Sequence, residues 1–489
     1  MKFLRTEELS RRILRTGLAG LLLSPFFIWF FAIPRWHFVP WPEVLRLFGV
    51  TLEQASLSTV ATVGLGAFLY WALQSWVRPD SVRMIESVLL LPNAFPPLFV
   101  AMCCLGYTDL WGQFPYGMGA VVVAHALLNS GLVALALQNL MQHRLGRLAE
   151  AAWTMGVRPI HFYRRVAWPL LRQEILLLTV FVFSIHLTSF SLPLLLGGSN
   201  SMTLEVGIFD AIRIHGRWDL ALILAGLETL LVLGLATLVR RPFWPRARLS
   251  TGCLFLRSPA FARPLCLLPG IILLGGWLMG IRSFSMELIE SEILSQLVDS
   301  VLLTVIIGLG AGLTLAILLA MIVFVSPSSR LSRFLNGYLA PSPAIAGFGL
   351  LLLDPDPILS QAMLILALAL VTLPLLYRWL IHSRMQGLIH QVEVARSLGA
   401  NWKQVFAHVT WPQMAPAVMQ ASGLAALWAS GDFALAGILL NGEANLPLLI
   451  DDLMNRYQFE VAQLLLLPVL IIGIGLYWSF ERAGRYVAG

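Results

Sequence analysis

Four polar side chains stand within long apolar runs of this chain: His125, Asn129, His186 and Asp432. A group of this kind needs a partner, a proton or a function, because burying it unpaired is costly. His125 and Asn129 are four residues apart, and His186 and Ser189 are three apart, so each pair shares a helical face. Asp432 lies between Gly431 and Phe433. Three chemistries fit: a charge pair of Asp432 with His186, a counter-charge for a cationic solute, or polar groups satisfied by their neighbours. Phe190 and Phe433 could then flank an aromatic cation through their ring faces. Covalent catalysis is not indicated. The two lysines, Lys2 and Lys403, follow no GxxxxGK[ST] loop, and no HExxH or GxSxG occurs. Cys103, Cys104, Cys253 and Cys266 have neither zinc nor disulfide-framework spacing.

A second pattern occurs twice. Glu150-Ala151-Ala152, Gly156 and Pro169 recur as Glu393-Val394-Ala395, Gly399 and Pro412, at a constant offset of 243. Val166 and Trp168 recur as Val409 and Trp411, Phe190 as Phe433, and Arg213 as Arg456. At this offset Asp432 matches Ser189. Each copy reads as a short helix, a glycine cap and a second short helix that opens with Pro159 or with Asn401 as N-cap. Two uses fit such a unit: an apolar helix docked in a partner's groove, or an amphipathic helix on lipid headgroups.

These residues must be carried by membrane-spanning helices. Of the 489 residues 58% are hydrophobic and only 12% charged, against about 25% charged in soluble domains. Apolar runs near the ~20 residues needed to cross a bilayer recur along the chain. The expected fold is an all-α polytopic membrane protein with about twelve spans: 17–34, 53–77, 84–106, 118–141, 173–197, 219–239, 263–281, 300–325, 334–353, 359–381, 415–440 and 461–480. The first reads as an uncleaved anchor. Glu174 and Glu228 read as lying towards span ends. Alternating the loops from an inside N-terminus puts 27 of the 33 basic residues inside, leaving Arg35, Arg46, Arg213, Arg217, Arg282 and Arg456 outside. Both termini and both inserts are then cytoplasmic. The net charge of +7 thus reflects orientation, not nucleic-acid binding. The expected organisation is a six-helix half (1–239), a cytoplasmic linker (240–262) and a second six-helix half (263–489), as parallel repeats. Gly64-Leu65-Gly66 and its counterpart Gly308-Leu309-Gly310 suit close helix approach.

The Glu-Ala-Ala, Gly and downstream Pro pattern resembles the signature loop of permease subunits of binding-protein-dependent ABC importers, with a departure at Val394. The chain is similar to fused double permeases of the thiamine and iron(III) group, on Gly197-Gly198, Thr203-Leu204-Glu205 and Gly431-Asp432-Phe433. The resemblance implies a type I importer permease fold and an inner-membrane, multi-pass location. It implies that Glu150, Ala151, Ala152, Gly156, Glu393, Ala395 and Gly399 couple to two copies of a cytoplasmic ABC ATPase. A periplasmic solute-binding protein would dock outside. No cofactor is bound directly and the chain is not itself an enzyme, since the partner hydrolyses ATP. The path would include His186, Ser189, Phe190, Asp432 and Phe433, with thiamine as one candidate solute and iron(III) or another small solute as the alternative. An ion-coupled secondary transporter is the competing class; it needs no paired docking helices.

Overall fold

The computed structural model describes residues 37–75, 79–111, 116–238, 259–282, 291–325, 356–440 and 443–488, with scattered positions in 13–24 and 347–351. Most of the expected spans 17–34 and 334–353, and all but the end of the linker 240–262, lie outside the described residues. Among the described residues the chain is helical and has no strand. Seven helices are long and apolar enough to cross a membrane: Trp41–Leu73, Met118–Met141, Ile160–Leu187, Ala260–Gly280, Ser295–Val325, Ile358–Ile381 and Phe459–Val487.

The chain forms two compact units, one of residues 45–203 and 241–283, the other of 1–44, 204–240 and 284–489. Helix α1 (Trp41–Leu73) crosses the boundary. The first unit continues with α2 (Pro79–Ala94), α3 (Pro97–Leu105), α4 (Met118–Thr154), α5 (Pro159–Phe162), α6 (Trp168–Leu187) and α7 (Ser191–Leu196). The span expected at 84–106 is thus two helices. Proline lacks an N–H and crowds the preceding turn, and Pro96-Pro97 ends α2 and starts α3. Close approaches build this unit. A Cβ on Gly131 of α4 would lie 1.7 Å from the Leu89 carbonyl oxygen of α2. The later helix α10 (Leu268–Gly280) packs on α3, where a Cβ on Gly276 would lie 1.9 Å from the Cys103 carbonyl oxygen. Without a hydrophobic drive between helices in lipid, small residues gain association by letting backbones meet.

The second unit holds α8 (Leu204–Arg213), α9 (Trp218–Leu238), α11 (Ser291–Val325), α12 (Pro357–Leu376), α13 (His382–Ser397) and α14 (Trp402–Val405). It closes with α15 (Trp411–Ser430), α16 (Ala434–Leu439), α17 (Leu446–Asn455) and α18 (Phe459–Ala488). Its centre is α15, rich in buried alanine (Ala415, Ala417, Ala421, Ala425, Ala426), lying against α11 and α18. Arg213 at the end of α8 donates to the Gly437 and Ile438 carbonyls, the open end of α16. Glu228, expected near a span end, is instead 1% exposed in the middle of α9. That helix begins at Trp218, which leaves about ten residues on either side of it.

The repeat is visible in the backbone. Adding 243 to the bounds of α5, α6 and α7 gives those of α14, α15 and α16. Between each short helix and its successor runs a π-helical turn, Tyr163–Ala167 and Phe406–Thr410. The cause is the Trp-Pro pair that follows. Pro169 and Pro412 cannot donate to the carbonyl four residues back, and the preceding turn widens so that Trp168 and Trp411 reach Tyr163 and Phe406, five back.

Candidate functional site: two capped inserts and a buried polar network

The inserts are built differently from the expectation of a short helix on either side of glycine. The first helix of each is the tail of a long one: α4 runs unbroken from Met118 to Thr154, and α13 follows α12 through a π turn at Tyr377–Ile381. The second helix runs through its π turn into the next long helix. Each insert is therefore an elbow between two long helices.

At each elbow the cap is the same. Gly156 has φ +67° and Gly399 φ +89°. Val157 N–H donates to Ala152 O (3.0 Å) and Ala400 N–H to Ala395 O (3.1 Å), the outer bond of a Schellman cap. A Cβ would meet nothing within 4 Å at either glycine, so positive φ and not space selects glycine. The returning helix starts with Pro159 at its first position in one copy, and in the other with a capping box of Asn401 and Gln404.

The motif residues divide by face. Ala152 is buried with Leu145, Ala149 and Phe162, closing the first elbow, whereas Glu150, Ala151 and Gly156 are exposed. In the second, Glu393, Val394 and Gly399 are exposed and Ala395 is half-buried. There Val405 takes the place of Phe162, and the Arg396 guanidinium stacks 4.6 Å from the Trp402 ring centroid. At equivalent positions beside the two glycines, Met155 is 73% and Leu398 82% exposed. A large apolar side chain thus stands free at the tip of both elbows. Nearby at the start of α13, burial and then Arg378 hold His382 below the usual imidazole range.

The histidines meet within the first unit. The His125 and His186 ring centroids are 4.6 Å apart, with the planes tilted by 37°. Both are buried, together with Gln54, Ser58, Thr59 and Thr62 of α1 and Asn129 of α4. Asn93 donates to Asn129 Oδ1 (2.9 Å), and Asn129 Nδ2 donates to His186 Nε2 (3.3 Å). His186 Nδ1 is then the protonated nitrogen and donates to Thr59 Oγ1 (3.3 Å), which donates to Ala55 O (2.6 Å). Gln54 Nε2 donates to His125 Nδ1 (3.0 Å), so His125 Nε2–H donates to Ser189 Oγ (2.9 Å). Two directed chains result, each through a neutral imidazole whose tautomer follows from the amide orientations. His125, Asn129, His186 and Ser189 are thus brought together. The α1 residues and Asn93 were missed, although Gln54, Ser58 and Thr62 stand four apart, a polar stripe on an apolar helix.

Asp432 belongs to the other unit and is not bare. Its Oδ2 accepts from Leu435 N–H (2.8 Å) and Ala436 N–H (3.3 Å), closing the N-terminus of α16. Phe190 and Phe433 are both buried, each at the N-cap position of its short helix. Helices α6–α7 and α15–α16 break at the same repeat position, and discontinuous helices of this kind form solute sites in transporters. Among the described residues no group of three His, Cys, Asp or Glu side chains could hold a metal ion.

Residues 312–488 match the family model described as the inner membrane component of binding-protein-dependent transport systems. The matched segment is 177 of the 489 residues. It carries the second elbow, α15 and α16, and the internal repeat extends the likeness to the first elbow. The chain is also similar to the thiamine transport system permease protein ThiP of Escherichia coli (strain K12), 30% identical over 202 residues, covering 38% of each chain. The protein of the same name from Brucella suis biovar 1 (strain 1330) is 27% identical over 220 residues, 40% of each. The probable sulfate transport system permease protein cysT of Nephroselmis olivacea is 24% identical over 139 residues, 26% of this chain and 49% of that one. The matched stretches thus span well under two thirds of these relatives. The chain is a multi-pass membrane protein, part of which matches a transport-system membrane component.

Proposed function

We propose that the chain is the channel-forming subunit of an ATP-driven solute importer of the bacterial inner membrane, with both elbows and both termini cytoplasmic. Each elbow seats in one of two ABC ATPase subunits, with Glu150 and Glu393 at the contact and Met155 and Leu398 in the partner's groove. A periplasmic binding protein delivers the solute. ATP binding and hydrolysis in the partner move the elbows, and the chain itself carries out no catalysis. The observation that carries this reading is the pair of matching elbows, each with the same glycine cap and an exposed apolar tip. The likeness to thiamine permeases makes thiamine the solute to test first. Asp432 would serve as transient counter-charge and Phe190 and Phe433 as aromatic walls, with His186 and Ser189 as further path residues. The chemistry would be electrostatic and cation–π recognition of an aromatic cation.

The test is affinity purification of the tagged chain with its ATPase, followed by thiamine uptake in vesicles. Wild type should retain a P-loop ATPase and import thiamine. Gly156→Val with Gly399→Val places a β-branched residue at positive φ, an outlier for such residues. The double variant should insert normally yet lose the ATPase and all uptake. Full ATPase retention and uptake in that variant would remove the elbows from the coupling role.

A further inference from the structure

The two halves fix their helix breaks by different means. At the α6–α7 break, Ser189 receives the His125 Nε2–H, and His186 in the last turn of α6 is held by Asn129 of α4 and by Thr59 and Thr62 of α1. At the α15–α16 break the equivalent of Ser189 is Asp432, which bonds backbone amides of its own short helix. The second-half positions matching His125, Asn129 and His186 are Leu368, Thr372 and Ala429. Thr372 returns its hydroxyl to Leu368 O of its own helix. On the Gly64-to-Gly308 offset, Gln54, Ser58 and Thr62 become Val298, Leu302 and Ile306, all exposed. No polar network of this kind recurs at these positions.

His125 and Asn129 also sit on the helix that carries the first elbow. From His125 to Glu150 is 25 residues of uninterrupted α4, about 37 Å at 1.5 Å per residue. The matching stretch of the second half is interrupted by Pro374 and the π turn Tyr377–Ile381. Such interruptions are where helices bend. One unbroken helix thus runs from the first elbow to side chains hydrogen-bonded to the break. In the second half the rod is jointed, and its break is held by its own short helix and by Asn445 at the start of α17, whose Nδ2 donates to Asp432 O (3.3 Å), not by the rod.

We propose that α4 is a coupling rod, with His125 and Asn129 as positioning residues that transmit movement of the first elbow to the α6–α7 break through Ser189 and His186. This rests on the importer reading above. The second half lacks this joint, so the coupling is one-sided. Neutral imidazoles suit the role. They bind by direction and not by net charge, so their bonds can be exchanged without stranding an ion in the membrane.

The test uses the full chain with its ATPase subunits in nanodiscs, in a background with the four cysteines replaced by serine. The readout is maleimide labelling of Thr188→Cys at the break, without nucleotide and with ATP plus vanadate. It does not depend on the solute. Nucleotide should change the labelling rate about tenfold, as expected when a conformational population shifts by that factor. The change should vanish in Asn129→Leu and Ser189→Ala, return in Ser189→Thr, and persist in Thr372→Val, while ATPase binding stays at the parent level in all. An unchanged nucleotide response in Asn129→Leu and Ser189→Ala overturns the proposal. So does a parallel loss of ATPase binding, which would mark a merely structural role. A wild-type chain that holds no ATPase would instead sink the importer reading. The joint is then judged on the chain alone by histidine NMR. One ring should be protonated at Nε2 and the other at Nδ1, with Ser189→Ala shifting the Nε2–H ring; one tautomer for both rings overturns it.

Discussion

Replacing Gly131 by alanine adds one methyl group at the closest backbone approach in the first unit. The new Cβ would lie 1.7 Å from Leu89 O, a backbone atom that cannot swing aside. An ordinary carbon–oxygen contact needs about 3.2 Å or more, so α2 and α4 must part by about 1.5 Å. Two interhelical hydrogen bonds span the same seam, Asn93 to Asn129 (2.9 Å) and Gln138 to Glu86 (2.8 Å). Stretched by that amount both exceed 4 Å and cease to be hydrogen bonds. Overpacking costs about 1–3 kcal/mol, and each membrane hydrogen bond contributes about 0.6 kcal/mol. Alanine's better helix propensity returns about 1 kcal/mol. The net loss is about 1–3 kcal/mol by these terms. Gly64→Ala in α1 is the matched control, because nothing lies within 4 Å of its Cβ. It should be neutral or more stable by up to about 1 kcal/mol. Unfolding of the purified protein in bicelles, by steric trapping or denaturing detergent, measures both. A Gly131→Ala protein as stable as the Gly64→Ala protein would refute the reasoning.

Two further outcomes follow from single side chains. Asp432→Asn keeps an acceptor for Leu435 N–H and removes the charge, whereas Asp432→Ala removes the cap, at about 1 kcal/mol. If Asp432 serves a cationic solute, the Asn variant should unfold like wild type and import poorly, and wild-type import by the Asn variant would assign Asp432 to the cap alone. His382 is held below its ordinary pKa by burial and Arg378. The folded state therefore binds fewer protons than the unfolded one between that depressed value and about 6.5. Stability should decline as pH falls from 7 through that window, and His382→Gln should flatten the decline; the same pH slope in both proteins would show another group to be responsible.

The all-helical membrane character, the duplicated insert and its glycine cap are local properties, and the sequence determines them. Apolar runs of bilayer length admit little but helix. Positive φ at Gly156 and Gly399 follows from the end of one helix meeting the start of the next. The Trp-Pro pairs likewise mark the π turns at Tyr163–Ala167 and Phe406–Thr410, where the proline N–H is missing. His125 with Asn129, and His186 with Ser189, could be paired from helical spacing alone. Tertiary structure decided the rest. Spacing places residues on a face but does not say which helix that face meets. The joining of the two pairs, Asn129 to His186 and His125 to Ser189, and their tethering by Gln54, Thr59 and Asn93 depended on how α1, α2 and α6 pack against α4. That packing is set by Leu89 approaching Gly131, a contact between residues 42 apart. Asp432 looked bare because its acceptors are filled by backbone amides, and these are free only because the helix breaks there. The unbroken α4 lacks proline and the jointed α12–α13 carries Pro374, but the sequence does not say where the turns relax. Their difference rests on where a chain with proline at Pro374 relaxes its turns, and so only the folded chain shows that the two halves are unequal.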